Sequence, residues 1–279
     1  IDSGFQTLEG HPNGRLHRRF SRFCFEALGD AWQPFGFGQM AYPHWIALQL
    51  GIGLVMYGEN GEAIYSGSEE VRNLRGMDLA RWSEQYYKGR TASELLQLAS
   101  EQTDYLKLEE WGPGDLAWYE PPSPEALNHS DIQMHWMSYY KRWVPQENFY
   151  YSSQHTGFTP NDQRSEGTYS KYASLDDRLD GLHYFMAFIK FGIGRATSDA
   201  SHEIRDGHIT RDEGIALVRR YDGEFPERHF EDFLEYLGID EDHFWRVVDH
   251  WRPEHLWRHR GDGLYGGHWR HWLLKHQVE

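Results

Sequence analysis

The sequence contains one cysteine, no long hydrophobic run and few positive charges. The lone Cys24 excludes an internal disulfide, and the first ten residues, "IDSGFQTLEG", lack the basic and apolar regions of a secretion signal. The most apolar stretch, residues 45–57, is shorter than the roughly 20 residues that a membrane-spanning helix needs. We therefore expect a soluble, cytoplasmic protein without a membrane span.

The charge balance and the histidines exclude further classes. With 28 Lys and Arg against 43 Asp and Glu, the net charge of −15 argues against a nucleic-acid partner. The chain has 17 histidines but no HExxH motif and no cysteine cluster, so the histidines between His250 and His276 are predicted to be solvated or packed in the core. A metal-dependent hydrolase built on this tail stays a distant alternative.

The first 57 residues predict helices followed by a strand. Apolar residues at helical spacing predict a helix that ends at Gly29, and Pro43 is placed to begin a second helix after the turn-rich stretch 33–42. "IGLVMY" (52–57) is apolar on both faces, which is typical of an interior strand of a parallel sheet. Since residues 35–39 are its single candidate neighbour, we expect the chain to begin inside an α/β domain whose opening units precede it.

The rest of the chain is predicted to be mainly helical. "TASELLQLASEQTDYL" is the clearest helix of the middle part, and residues 148–173 are expected to form a loop with a short strand. Ser174 is predicted to cap a helix, paired with Asp177 and followed by a buried stripe that begins at Leu175. Later helices are predicted at a second capping box, Thr210 with Glu213, and over Glu227 to Leu237 and Glu241 to Trp251.

The first candidate site is the loop "YGENGE", which follows the predicted strand. Its carboxylates, Glu59 and Glu62, and the amide of Asn60 would lie at the carboxyl edge of a parallel sheet, where α/β proteins hold their ligands. Carboxylates suit Mg²⁺ bound with phosphates, and glycines such as Gly58 let backbone N–H groups approach an anion. A plain turn with solvated acids would have the same sequence.

The second candidate site lies in "IKFGIGRATSDASHEIRDGHITR". Charged and ionisable residues crowd together there just past an apolar helix: Lys190, Arg195, Asp199, His202 and Glu203. Cations suit phosphate, whereas carboxylate and imidazole suit metal binding or proton transfer. The alternative is a salt-bridged helix surface. In a third stretch, "EGTYSKYASLDD", Lys171 is a candidate phosphate contact or an ordinary surface lysine.

Four stretches together resemble the N-acetyl sugar amidotransferases of bacterial surface-polysaccharide and nonulosonic-acid pathways. They are "ALGDAWQPFGFGQ" (27–39), "GLVMYGENGE" (53–62), the long run from "EGTYSKYASLDD" to "RRYDGEFP" (166–226) and the helical stretch to "WRPEHLW" (251–257). The resemblance covers nearly the whole chain except the tail after about residue 258 and parts of 69–130.

The resemblance implies a fold and a reaction. The expected fold is α/β: a partial ATP-pyrophosphatase-type (adenine nucleotide α-hydrolase-like) parallel-sheet domain followed by a mainly α-helical region. ATP would activate the oxygen of a sugar acetamido group as an adenylate, and ammonia would displace AMP to leave an acetamidino group. In the family, ammonia comes from a separate glutaminase subunit resembling that of imidazole glycerol phosphate synthase, often with a cyclase-like subunit.

By the same resemblance, ATP and Mg²⁺ are the expected cofactors. Glu59 and Glu62 would address Mg²⁺ and pyrophosphate, and Lys190 with Arg195 would neutralise the phosphates. Asp199, His202 and Glu203 are second-rank candidates for metal binding or proton transfer. The family's SGGKDS-like phosphate loop is not found in this sequence, so we expect either a fragment of a longer gene product or a truncated relative.

Four segments follow from this interpretation. Residues 1–68 are assigned to the end of the α/β domain, 69–165 to a helical insertion with loops, 166–258 to a helical C-terminal region and 259–279 to a tail. The competing hypothesis is a truncated, non-catalytic module that binds a sugar or a partner protein.

Overall fold

The structure is a computed structural model that describes residues 4–58, 73–76, 89–261 and 268–278. The chain divides into two compact units. The N-terminal unit comprises Ile1–Cys24 and Gln33–Trp143, and the C-terminal unit comprises Phe25–Trp32 and Val144–Glu279. The fold is mixed α/β, with a short parallel strand pair early in the chain and a mainly helical remainder, so the predicted fold class is confirmed.

The described helices and strands are named in chain order. They are α1 (Gly14–Leu28), α2 (Gln33–Leu50), β1 (Leu54–Tyr57), α3 (Ala92–Gln102), α4 (Pro113–Leu116), α5 (Pro124–Ser130), β2 (Gln133–Trp136), α6 (Met137–Tyr140), α7 (Pro145–His155), α8 (Asp180–Phe191), α9 (Arg195–Asp206), α10 (Arg211–Tyr221), α11 (Phe230–Leu237), α12 (Glu241–His250), β3 (Trp257–His259) and β4 (Trp272–Leu274). Short 3-10 turns lie at Leu108–Glu110, Ala117–Tyr119, Glu227–His229 and His268–His271.

The first helix is as predicted, whereas the second begins ten residues earlier than Pro43. Helix α1 ends before Gly29, which adopts a positive φ of 63°. Helix α2 runs continuously through Pro43. Pro43 has no N–H for the carbonyl of Gln39, but the hydroxyl of Tyr57 donates to that carbonyl at 3.0 Å. The prediction of a turn over 33–42 is therefore wrong, because a distant tyrosine satisfies the group that proline leaves open.

Strand β1 is confirmed, but its predicted burial on both faces is wrong. Among the described residues it pairs only with β2, in parallel register from Leu54 opposite Gln133 to Tyr57 opposite Trp136. Leu54 and Met56 remain 46% and 43% exposed, while Tyr57 is buried. The expected neighbour, residues 35–39, lies within α2 instead.

Two further predictions for the middle and last parts need correction. Helix α7 occupies residues that were expected to form a loop; none of its residues is buried, so no apolar period marks it. Ser174 does not cap α8, which begins at Asp180 after Leu179, and Leu175 is exposed rather than part of the buried stripe. The backbone of Ser174 instead has a positive φ of 54°.

The remaining helix predictions are confirmed. Helix α3 begins at a full capping box formed by Thr91 and Glu94, and α10 at the predicted box of Thr210 and Glu213. Helices α11 and α12 occupy the predicted stretches, and Gly238 ends α11 with a positive φ of 66°. Within the described ranges, every helix is too short or too polar to cross a bilayer.

The core of the C-terminal unit is rich in aromatic rings. Phe244 is fully buried and contacts the rings of Phe25, Phe233 and Trp245 at centroid distances of 4.8–5.8 Å. Leu182, Met186 and Ile189 of α8 complete this core from the side that the apolar stripe predicted. Helix α8 is thereby fixed, and with it the loop that precedes it.

Candidate functional site

A polar cavity of about 380 Å³ lies in the C-terminal unit. It is built from the loop that precedes α8, the first turn of α8 and the turn between α10 and α11. Its lining residues are Asn161, Ser165, Glu166, Ser174, Leu175, Asp176, Asp177, Arg178, Gly181, Leu182, Pro226, Arg228 and His229. Because the first turn of α8 is anchored by core residues, one wall of the cavity stands on a rigid element.

Acids and bases in the cavity wall nearly balance. The lining contains Glu166, Asp176 and Asp177 together with Arg178, Arg228 and His229. Asp177 accepts hydrogen bonds from the indole of Trp32 at 3.0 Å and the backbone N–H of Leu179 at 2.7 Å, and burial raises its pKa. These bonds give Asp177 a fixed orientation, although it does not cap the helix as predicted.

Ser174 connects the cavity wall to a buried ion pair behind it. The Nη1 of Arg195 lies 3.1 Å from Oδ2 of Asp180, and both side chains are mostly buried, with 12% and 18% exposure. The Ser174 hydroxyl is in hydrogen-bond contact with both Arg195 and Asp180. The guanidinium also lies over the ring of Tyr184 at 4.2 Å. Three elements are thus joined at one point: the loop, α8 and α9.

Two carboxylates follow one helical turn apart on α9. Asp199 accepts a hydrogen bond from the hydroxyl of Thr168 at 2.5 Å, and burial raises its pKa despite the opposing effect of Arg195. Burial also raises the pKa of Glu203, and Asp199 adds to this shift. The hydroxyl of Tyr169 is buried beside both acids, and burial together with the charges of Glu203 and Asp199 raises its pKa. Burial therefore makes the ionised form of both carboxyl groups more costly than it is in water.

His202 and Tyr172 lie close to these acids. Burial lowers the pKa of His202, and Arg205 lowers it further, so its imidazole is neutral at pH 7. Burial and the charges of Asp199 and Glu203 raise the pKa of Tyr172 to about 12. Its hydroxyl donates to the side chain of Gln146 at 3.1 Å. Burial is therefore the leading cause of the pKa shifts in this cluster.

A second, half-buried contact joins the loop to the segment that follows α10. Arg164 binds Glu224 through two hydrogen bonds of 2.6 Å, and the backbone N–H of Gly167 donates to the same carboxylate at 2.8 Å. The guanidinium lies over the ring of Tyr221 at 4.6 Å. These bonds hold residues 164–168, which carry both Thr168 and part of the cavity lining.

The structure brings only part of the predicted site together. Arg195, Asp199, His202 and Glu203 share helix α9. The ammonium of Lys190 instead donates to the carbonyl of Leu28 at 3.1 Å. Arg195 pairs with Asp180 at the start of α8. Lys190 lies ten residues further along the same helix, or about 15 Å along its axis. The two cations are therefore at opposite ends of this helix.

Of the other predicted ligand-binding residues, Lys171 and Gly58 are among the described residues and the rest are not. Lys171 is exposed, and its ammonium donates to the carbonyl of Asp162 at 2.9 Å. Gly58 directly follows β1 and is exposed, whereas Glu59, Asn60 and Glu62 lie outside the described residues. The described parts of the chain hold no group of three His, Cys, Asp or Glu side chains placed for a metal ion. The roles predicted for ATP and Mg²⁺ stay predictions.

Sequence reasoning missed several members of the site. Arg164 and Glu224 are far apart in sequence and carry no motif, and Asp180 is an ordinary helix-start acid by its position. Ser174 was expected to be a helix cap, an assignment that concealed its contact with Arg195. Thr168 and Tyr169 fall within "EGTYSKYASLDD", and the resemblance of that stretch was the one signal that marked them.

Comparison with known proteins bears on the same part of the chain. No curated protein shows significant similarity to the sequence. Residues 166–271, less than half of the chain, match the family described as "LPS biosynthesis protein WbpG-like, C-terminal domain". The matched segment contains the α8–α9 cluster and all but two of the residues that line the cavity. The C-terminal part of the chain is therefore similar to the C-terminal domain of WbpG-like proteins of LPS biosynthesis.

Proposed function

We propose that the chain acts in an ATP-dependent amidotransferase that converts a sugar acetamido group to an acetamidino group during surface-glycan biosynthesis. The observation that carries this proposal is the match of residues 166–271 to the WbpG-like domain, whose segment here contains the polar cavity and the buried acids. The resemblance of residues 27–39 and 53–62 to amidotransferases supports the same reaction outside the matched segment.

The chemistry needs an activated amide, because an amide oxygen is a poor leaving group. In the proposed reaction the acetamido oxygen attacks the α-phosphate of ATP, pyrophosphate leaves, and an O-adenylated imidate forms. Ammonia then adds to the imidate carbon, and AMP departs with the original oxygen. The product is an amidine, and the attacking nitrogen loses a proton on the way.

Residues of the C-terminal unit suit the sugar end of this reaction. Carboxylates such as Asp176 and Asp177 can hydrogen-bond an amidinium, which is cationic at neutral pH. The neutral imidazole of His202 is a competent proton acceptor, as its lowered pKa leaves it unprotonated. We propose that a glutaminase subunit supplies ammonia, since the buried Cys24 is the chain's only thiol.

The test measures AMP, pyrophosphate and sugar mass in one reaction. The chain, and a form extended toward its amino terminus, are incubated with ATP, Mg²⁺, an ammonium salt and a panel of nucleotide-linked N-acetylated sugars. We expect AMP formation together with replacement of one sugar oxygen by NH, and no amidine when ammonium is omitted. Sugar binding without AMP from either form would overturn the proposal and favour the non-catalytic binding module.

A further inference from the structure

We infer that the cavity beside α8 is the binding site of the N-acetylated sugar unit itself, and that it takes this unit without ATP. The cavity volume of about 380 Å³ is at the lower end of small-molecule sites and suits one or two sugar rings. This inference rests on the proposed function for its ligand class, but the position and the recognition chemistry come from the cavity.

The charges of the lining argue against phosphates as the occupant. Three carboxylates lie there with two arginines, and both arginines are already engaged. Arg178 pairs with Asp232 at 3.1 Å, and Arg228 donates to the side chain of Gln163 and the carbonyl of Arg164. A triphosphate needs a surplus of cations. An uncharged polyol does not, and it matches a lining that has no surplus of cations.

Two polar groups of the lining have open hydrogen-bonding positions. The carboxylate of Asp176 and the side-chain amide of Asn161 make no hydrogen bond to the described residues, whereas Asp177, Glu166 and Ser174 are engaged. A carboxylate accepts bonds from two neighbouring sugar hydroxyls, and an amide can both donate and accept. Asp176 and Asn161 are therefore the groups that would form hydrogen bonds with the hydroxyls of the sugar.

An apolar strip completes the site. Leu175 is exposed at the lining, whereas Leu182 and Pro226 are buried in the wall behind it. Pro226 packs closely on Gly181, since a Cβ there would lie 3.0 Å from Cβ of Pro226. Such a strip suits the C–H face of a sugar ring or the methyl of an acetamido group. A ligand with the methyl and several hydroxyls matches both parts of the wall.

Ser174 is the positioning residue of this wall. It precedes the four consecutive lining residues 175–178, and its positive φ of 54° is a conformation that serine rarely adopts. Its hydroxyl is held by the buried Arg195–Asp180 pair. The ion pair therefore acts on the cavity through the backbone of Ser174 and does not itself touch the ligand.

The experiment measures binding of N-acetylglucosamine to the full chain without ATP, with glucose as the ligand that lacks the acetamido group. We expect N-acetylglucosamine binding to be at least about tenfold tighter, with millimolar ATP failing to compete. Asp176→Ala should weaken binding about tenfold, which is the loss of a charged hydrogen bond. Leu175→Trp, at an exposed position, should block the cavity.

Controls separate this inference from the proposed function. Asp242→Ala, at an exposed position of α12 outside the lining, should bind as the unaltered chain does. Equal affinity for the two ligands, or unchanged binding by both cavity variants, would overturn the inference. Amidine formation by Leu175→Trp at the normal rate would overturn the site and keep the reaction. Binding lost in both variants with no AMP from any form would overturn the reaction and keep the site.

Discussion

At the scale of single residues, charge alone does not reveal what a side chain does. Arg195 was predicted to neutralise phosphate, yet the structure pairs it with Asp180 and covers it with Tyr184. Asp199 was predicted to bind metal or move protons, and its burial does favour the protonated form. The closeness of residues 195–203 could be predicted because one helix carries them. Their partners on other elements could not, because only tertiary packing selects them.

The raised pKa of Asp199 predicts a cost of keeping this carboxylate charged. Since the folded state binds the proton more tightly than the unfolded state, stability should fall as pH rises above the ordinary aspartate value of about 4. Asp199→Asn keeps an oxygen for the Thr168 hydroxyl and removes the charge. We expect this variant to be more stable than the unaltered chain at pH 7 and no more stable near pH 4. Urea midpoints across this range provide the check, and a variant less stable at every pH would contradict it.

The opposite sign is expected at Glu224. Although burial raises the pKa of this carboxylate, its bonds with Arg164 outweigh that effect and lower it. The stabilisation should be fully present above the ordinary glutamate pKa of about 4.3 and be lost as pH falls through the lowered folded value. Glu224→Gln should cost about 1–2 kcal/mol at pH 7 and progressively less in acid. Glu227→Gln, at an exposed neighbouring position, is the matched control. Equal urea-unfolding midpoints for the two variants at pH 7 would contradict the prediction.

At the scale of elements, sequence patterns predicted most helices and misplaced those that depend on distant partners. Thr210 and Glu213 form a capping box that lies wholly within four residues, so it could be read directly. The start of α8 could not, since Ser174 bonds to Arg195 rather than to its own helix. Pro43 likewise indicated a helix start because nothing local shows that Tyr57 satisfies the carbonyl of Gln39.

Helix α9 provides a test of capping from outside the helix. Its N-cap residue, Gly194, has no side chain, and Asp222, which directly follows α10, accepts from the N–H groups of Gly194 and Thr197 at 3.0 and 3.1 Å. A Cβ on Gly194 would lie 2.6 Å from the Asp222 carboxylate, so glycine permits this approach. Asp222→Ala should cost about 2 kcal/mol in unfolding free energy, as loss of a helix cap does. Asp212→Ala, an exposed acid on α10, should cost far less; comparable losses would contradict the role.

At the scale of the whole molecule, the described cavity and the buried acids belong to one unit. The C-terminal unit contains α8 to α12 and also takes up residues Phe25–Trp32, far earlier in the sequence. The four predicted segments stay predictions, and no pattern in the sequence showed that a piece of the first helix would join the C-terminal core. That assignment depends on which aromatic rings Phe25 meets, which only the folded chain determines.

Helix α1 therefore offers a matched pair of substitutions that should affect different units. Phe25 contacts Phe233 and Phe244 at 5.4 and 5.5 Å, whereas Phe20, five residues earlier, contacts Phe37 and Tyr119 at 6.1 and 5.3 Å. Both are fully buried, so truncation to alanine should cost about 3–5 kcal/mol in either case. The loss of stability should be confined to the unit whose core contained the truncated phenylalanine ring.

Amide hydrogen exchange resolves the two outcomes, because it reports the opening of each segment separately. Phe25→Ala should speed exchange in α8, α11 and α12 and leave α3 close to its original rate. Phe20→Ala should speed exchange in the N-terminal unit, most of all in α2, and spare α12. If both variants raised exchange equally in both sets of helices, the chain would unfold as one cooperative body. The division at residue 25 would then describe contacts in the folded state without describing stability.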